Sequence, residues 1–68
     1  MKLPKILQEL RYRNKLSQEK LAEKIGIHQS NISDWENGVS RPEYEHLIAL
    51  ADIFDVTLDE LLGRDVVS

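Results

Sequence analysis

A chain of 68 residues with no cysteine holds one domain at most and has no disulfide or thiolate metal site to brace it. Its net charge of −3 weighs mildly against a nucleic-acid partner, and no apolar run approaches the roughly 18 residues that cross a bilayer. The N-terminus, MKLPKILQEL, turns polar too soon for a secretory leader, and the absence of cysteine fits a reducing, cytoplasmic setting.

The first helix is expected from about Pro4 to Asn14. Proline suits a first turn, where its missing N–H has no partner in any case, and Leu3, Ile6, Leu7 and Leu10 recur at helical spacing. Lys15 and Leu16 form a short link. Ser17 then offers a hydroxyl to cap a second helix. Lys20 stands three residues on, so no capping box forms there. That helix runs to about Ile25 and stops at Gly26, which takes left-handed angles without strain. A third helix is expected from about Gln29 to Asn37, closed by Gly38, and Val39 to Pro42 make a loop. A fourth runs from about Glu43 to Phe54, with Leu47, Leu50, Ala51 and Phe54 on one stripe. Thr57 and Glu60 have the spacing of a capping box, so a fifth, short helix covers about Leu58 to Leu62 and ends at Gly63. Residues 64–68 are a tail, expected to be loose. The fold class is therefore all-α, a compact five-helix bundle in one domain spanning 1–68, with its core over about 4–63.

The segment from Gln18 to Gly38, QEKLAEKIGIHQSNISDWENG, is the most informative. Leu21, Ile25, Ile27, Ile32 and Trp35 are its apolar positions. Ala22 is small where two helices must cross, and Gly26 sits where the chain turns from one to the next. This is the pattern of a helix-turn-helix, whose second helix enters the DNA major groove. Charge distribution supports it. Residues 1–34 carry seven Lys/Arg and four Asp/Glu, a net +3, whereas residues 35–68 carry two against eight, a net −6. Phosphate binding depends on the local field of one face rather than on the total.

Ile32 and Trp35 take the inward face of the third helix, which leaves Gln29, Ser30, Ser33 and Asp34 along one outward face, with Asn31 further round. These five are the candidate base contacts. Gln29 and Asn31 carry amides able to pair bidentately with adenine, and the two serines accept or donate to several bases. Asp34 is repelled by phosphates, yet it can accept from the amino group of cytosine; neutralisation by a nearby Lys or Arg is the other reading. His28 is the expected N-cap of this helix and a poor one. Placed near a phosphate, it adds positive charge when protonated, unless it is simply an exposed histidine. Lys15 is a further candidate for a phosphate, while for Lys20 and Arg13 solvation is the default.

The segments LRYRNKLSQEKLAEKIG, ISDWENG, RPEYEHLIALADIFDV and LDELLG, in that order from Leu7 to Gly63, make the chain resemble the Cro/C1-type, or Xre, helix-turn-helix family of phage and bacterial repressors. The resemblance implies a lambda-repressor-like domain that binds double-stranded operator DNA as a homodimer and regulates transcription. It implies base contacts at the positions held by Gln29, Ser30 and Asp34, and phosphate contacts at Gln18, Asn37 and Arg41. It also implies a structural ion pair between Arg11 and Glu36. His28 departs from the Ser or Thr usual in the family.

Enzyme chemistry finds no support. There is no thiol nucleophile, the three glycines fall at helix ends, and His28 and His46 lack metal-ligand spacing. No cofactor or metal is expected. The rival reading is an antitoxin or partner-controlled interaction module, with Tyr44, Ile53, Val56 and the Val66-Val67 pair offering apolar surface to a regulatory protein. Helix 5 and its flanks are the expected dimer contact.

Overall fold

The computed structural model describes residues 2–63. Within them five helices follow in chain order: α1 (Leu3–Arg13), α2 (Gln18–Ile25), α3 (Gln29–Glu36), α4 (Tyr44–Phe54) and α5 (Leu58–Leu62). No strand occurs among the described residues. The expected tail at 64–68, and with it Val66-Val67, lies outside them.

α1 begins one residue earlier than proline alone suggests. Leu3 is buried and belongs to the core, and Pro4 in the next position still lacks an intrahelical partner to lose. At the other end Asn14 is the cap rather than the last helical residue. The exit is a left-handed turn in which Lys15, at φ +55, donates its N–H to Tyr12 O, and Leu16 donates to Arg11 O. That pair of bonds is a Schellman closure with lysine where glycine is the usual residue.

The caps of α2 and α5 follow from local chemistry. Ser17 Oγ accepts from the Lys20 N–H at 3.0 Å. At α5 both halves of the capping box form, with Glu60 N–H donating to Thr57 Oγ1 and Thr57 N–H to Glu60 Oε1, each at 3.0 Å. α4 starts at Tyr44 because Glu43 is extended and serves as its N-cap. α3 ends at Glu36, with Asn37 as its cap.

The core is built from Leu3 and Leu7 of α1, Leu21 and Ala22 of α2, Ile32 and Trp35 of α3, Leu50, Ala51 and Phe54 of α4, and Leu61 of α5. Ile25, Ile27 and Leu47 are only half-buried and pack against its edge. Burial of each large apolar side chain stabilises by about 1.5–3 kcal/mol, so all five helices hold together through one shared centre. α2 packs on α3, α3 on α1, and α5 on both α1 and α4. Trp35 also meets the His46 ring of α4, with ring centres 5.4 Å apart. Gly26, at φ +86, lets the chain turn sharply between α2 and α3, and a side chain there would meet open space. Gly63 is needed twice over. Its φ is +72, and a Cβ would stand 2.7 Å from Lys2 Cβ and 2.8 Å from Ile6 Cδ1.

Tyr12 and Tyr44 are exposed, at 62% and 69%, as the apolar-surface reading of Tyr44 expects. Arg11 takes the inward position on α1, so its neighbour Tyr12 is rotated outward by about a quarter turn. Tyr44, at the start of α4, lies beyond the reach of the core. Ile53 and Val56 pack against the core, which leaves less free apolar surface on this side than the interaction-module reading supposes.

Candidate nucleic-acid interface

α2 and α3 cross with Ala22 in the core, where its small side chain allows close approach. The turn between them is fixed by bonds from Gly26 N–H and Ile27 N–H to the same acceptor, Ala22 O, at 2.8 and 3.0 Å. α3 then starts from His28, whose backbone is extended but whose side chain makes no cap bond. The first turn of α3 is therefore held by burial of Ile32 and Trp35 rather than by a strong cap.

The inward face of α3 ends in a buried ion pair. Arg11 and Glu36 are 7% and 9% exposed, and the guanidinium grips the carboxylate with two parallel bonds, Nε to Oε2 at 2.7 Å and Nη2 to Oε1 at 3.0 Å. Two-point geometry of this kind is strong and orienting. Arg11 Nη1 donates to Leu16 O at 3.0 Å, and the Tyr12 ring lies 4.7 Å from the guanidinium carbon. The hydrogen bond with Glu36 holds the arginine pKa above its ordinary value, against the opposing effect of burial. No buried side-chain N or O atom among the described residues lacks a partner.

The outward face carries the expected side chains. Gln29 and Ser30 are exposed in the first turn, while Asn31, Ser33 and Asp34 are half-buried. Ser33 Oγ accepts from Asn37 Nδ2 at 3.3 Å, which ties the residue after α3 back to its face. Among the described residues Asp34 has no salt-bridge partner. Lys15 and Arg41 are exposed on the loops that flank α2 and α3. Lys20 pairs with Glu23 at 3.7 Å on an open surface, a contact worth little in water.

One connection was not legible from residue types alone. Gln29 Nε2 donates to Gln18 Oε1 at 3.2 Å, and Gln18 Nε2 donates to Glu36 Oε1 at 3.1 Å. Gln18, expected at a phosphate, thus spends its amide on two protein partners. The available signal was positional: Gln18 and Gln29 are the first residues of the two helices that cross.

Each side chain on this face is short, polar and backed by a rigid helix. Such a surface can exchange hydrogen bonds with base edges. It offers no paired acid and base, and no helix of the described residues is long and apolar enough to cross a membrane.

Comparison with known proteins agrees with this geometry. A family model described as helix-turn-helix matches residues 7–61. The HTH-type transcriptional regulator AnsR of Bacillus subtilis is 46% identical over 59 residues, covering 87% of this chain and 51% of AnsR. The chain thus spans about half the length of that relative. Among solved structures, a transcriptional regulator from Listeria innocua superposes with a TM-score of 0.88 at 26% identity, over 97% of this chain and 62% of that one. The P22 c2 repressor protein, in complex with a synthetic operator, superposes with a TM-score of 0.86 at 28% identity, over 93% and 96%. With its motif, its five helices and its matched family model in agreement, the chain belongs to the Cro/C1-type helix-turn-helix family.

Proposed function

We propose that this chain is the DNA-reading unit of a transcriptional regulator, which lays α3 in the major groove of a double-stranded operator. The observation that carries the reading is the division of α3 into a locked inner face and a polar outer one. Ile32, Trp35 and Glu36 are buried, while Gln29 and Ser30 are exposed in the first turn. The likeness to a repressor held on a synthetic operator supports the same docking, as does the regulator name carried by AnsR.

In this reading Gln29, Ser30, Asn31, Ser33 and Asp34 meet base edges. Gln18, His28, Asn37, Arg41 and Lys15 lie along the flanking phosphates, Gln18 through its backbone N–H at the start of α2. The chain works in the cytosol as a homodimer on a two-fold site, through α5 and its flanks, with half-sites about 34 Å apart. It represses by occupying DNA that polymerase needs.

The test is Gln29→Ala, measured by fluorescence anisotropy on a site selected from a random DNA pool. The expected loss is about 1–3 kcal/mol on that site, with relaxed preference at one base position. An equal loss on random DNA makes Gln29 a phosphate contact instead.

A further inference from the structure

We infer that the cleft between the start of α1 and the loop after α3 binds a small apolar carboxylate, and that the bound acid competes with DNA for Arg41. The competition rests on the reading of Arg41 as a phosphate contact; the cleft itself does not. It measures about 210 Å³ and is lined by Leu3, Pro4, Trp35, Gly38, Ser40 and Arg41. A space of that size holds several waters, and so a molecule of a few carbons. None of the candidate base contacts lines it.

The fold leaves donors unanswered here. Trp35 is only 4% exposed, yet its indole N–H donates to no acceptor among the described residues. No buried side-chain nitrogen among them is left without a partner. The N–H therefore reaches open space, and the cleft is the opening that Trp35 lines. Arg41 is exposed and forms no salt bridge among the described residues. α1 starts with no side-chain cap bond and no acidic residue in its first turn. Nothing within the helix answers the partial positive charge of its open amide end, and Leu3 and Pro4 bring that end to the cleft.

An indole N–H only donates, and so does a guanidinium. With no carboxylate in the lining, these groups suit a ligand that accepts and carries negative charge. The remaining lining selects the body of that ligand. Leu3, Pro4 and the Trp35 ring are apolar, and covering them with hydrocarbon releases water. A bare phosphate ion gains nothing from such a floor. A carboxylate on a short alkyl chain uses both parts, its oxygens on the Trp35 N–H and Arg41, its chain on Leu3 and Pro4. A guanidinium already paired with a carboxylate attracts a phosphate less. Linkage makes the effect mutual, so DNA weakens binding of the acid by the factor by which the acid weakens binding of DNA.

The probe is hexanoate, titrated into the full chain without DNA and followed by NMR at the indole N–H of Trp35, the single tryptophan. That resonance is expected to move downfield and to saturate in the millimolar range, the affinity open to so small a ligand. Hexanamide keeps the chain and loses the charge, and is expected to bind at least about tenfold more weakly, as is hexanoate to Arg41→Gln. Ser40→Glu sets a carboxylate in the lining and is expected to abolish the shift. An indole resonance that hexanoate leaves in place overturns the inference, as does equal binding of hexanamide or equal binding by Arg41→Gln. Inorganic phosphate at the same concentration is expected to leave the resonance unmoved; a shift like that of hexanoate makes the cleft a phosphate seat and also overturns it. Saturating hexanoate is then expected to weaken binding to the selected duplex about fivefold or more at constant ionic strength. Unchanged DNA affinity overturns the competition. A chain that binds hexanoate but no DNA keeps the site and fails the groove reading of α3 instead.

Discussion

The two faces of α3 are built by opposite rules. The inner face spends its residues on burial and on one ion pair: Ile32 is fully buried, Trp35 nearly so, and Glu36 is closed against Arg11. The outer face buries none of its candidate residues fully, and Gln29 and Ser30 are open to solvent. Substitutions on the first face should act on folding and those on the second on binding, because surface changes away from buried networks are worth within about 0.5 kcal/mol of stability. Gln18 is where the rules meet, since it bonds to Glu36 on one side and Gln29 on the other.

The largest expected effect comes from Glu36→Ala. It leaves Arg11 buried without its carboxylate and should cost about 3–5 kcal/mol in urea unfolding. For so small a domain that is enough to unfold much of the population. Replacing both partners with apolar residues, Arg11→Met with Glu36→Leu, removes the stranded charge and should restore most of that loss.

The pH dependence that Arg11 contributes lies far from neutrality. The Arg11 pKa is raised in the folded state. A raised value means its contribution is fully present below the unfolded arginine pKa and is lost only as pH rises through the folded one. Arg11 should therefore add no pH dependence to stability anywhere near neutrality, which a series of urea titrations checks.

A smaller effect is expected from Asp34→Ala, entirely on the outer face. Stability should hold within about 0.5 kcal/mol. Affinity for random DNA should rise, because a carboxylate facing phosphates is removed, while preference at one cytosine falls. Loss of stability instead would place Asp34 with the inner face.

The parts of this fold that the sequence shows are those with short-range causes. Ser17, the Thr57–Glu60 box, Gly26 and Gly63 each act within a few residues of themselves, so residue type and spacing suffice. The stripe of Leu50, Ala51 and Phe54 is legible for the same reason. Lys15 and Asp55 are not, although both take φ +55. Neither residue type announces a left-handed turn as glycine does; the turns are imposed by the helix ends that Leu16 N–H and Val56 N–H close on Arg11 O and Ala51 O. In the candidate interface, helical periodicity separates the outward residues from the core. The series from Glu36 through Gln18 to Gln29 depends on how two helices cross. It joins positions 18 and 11 residues apart, and no local pattern carries that information.

The central claim is that the outer face of α3 reads a DNA sequence. The most direct measurement is an anisotropy titration of the full chain against a duplex selected from a random pool and against a scrambled duplex, over a range of salt. The account expects the selected duplex to bind at least about a thousandfold tighter, with log affinity falling linearly in log salt. Equal affinity for the two duplexes, or none for either, would contradict it.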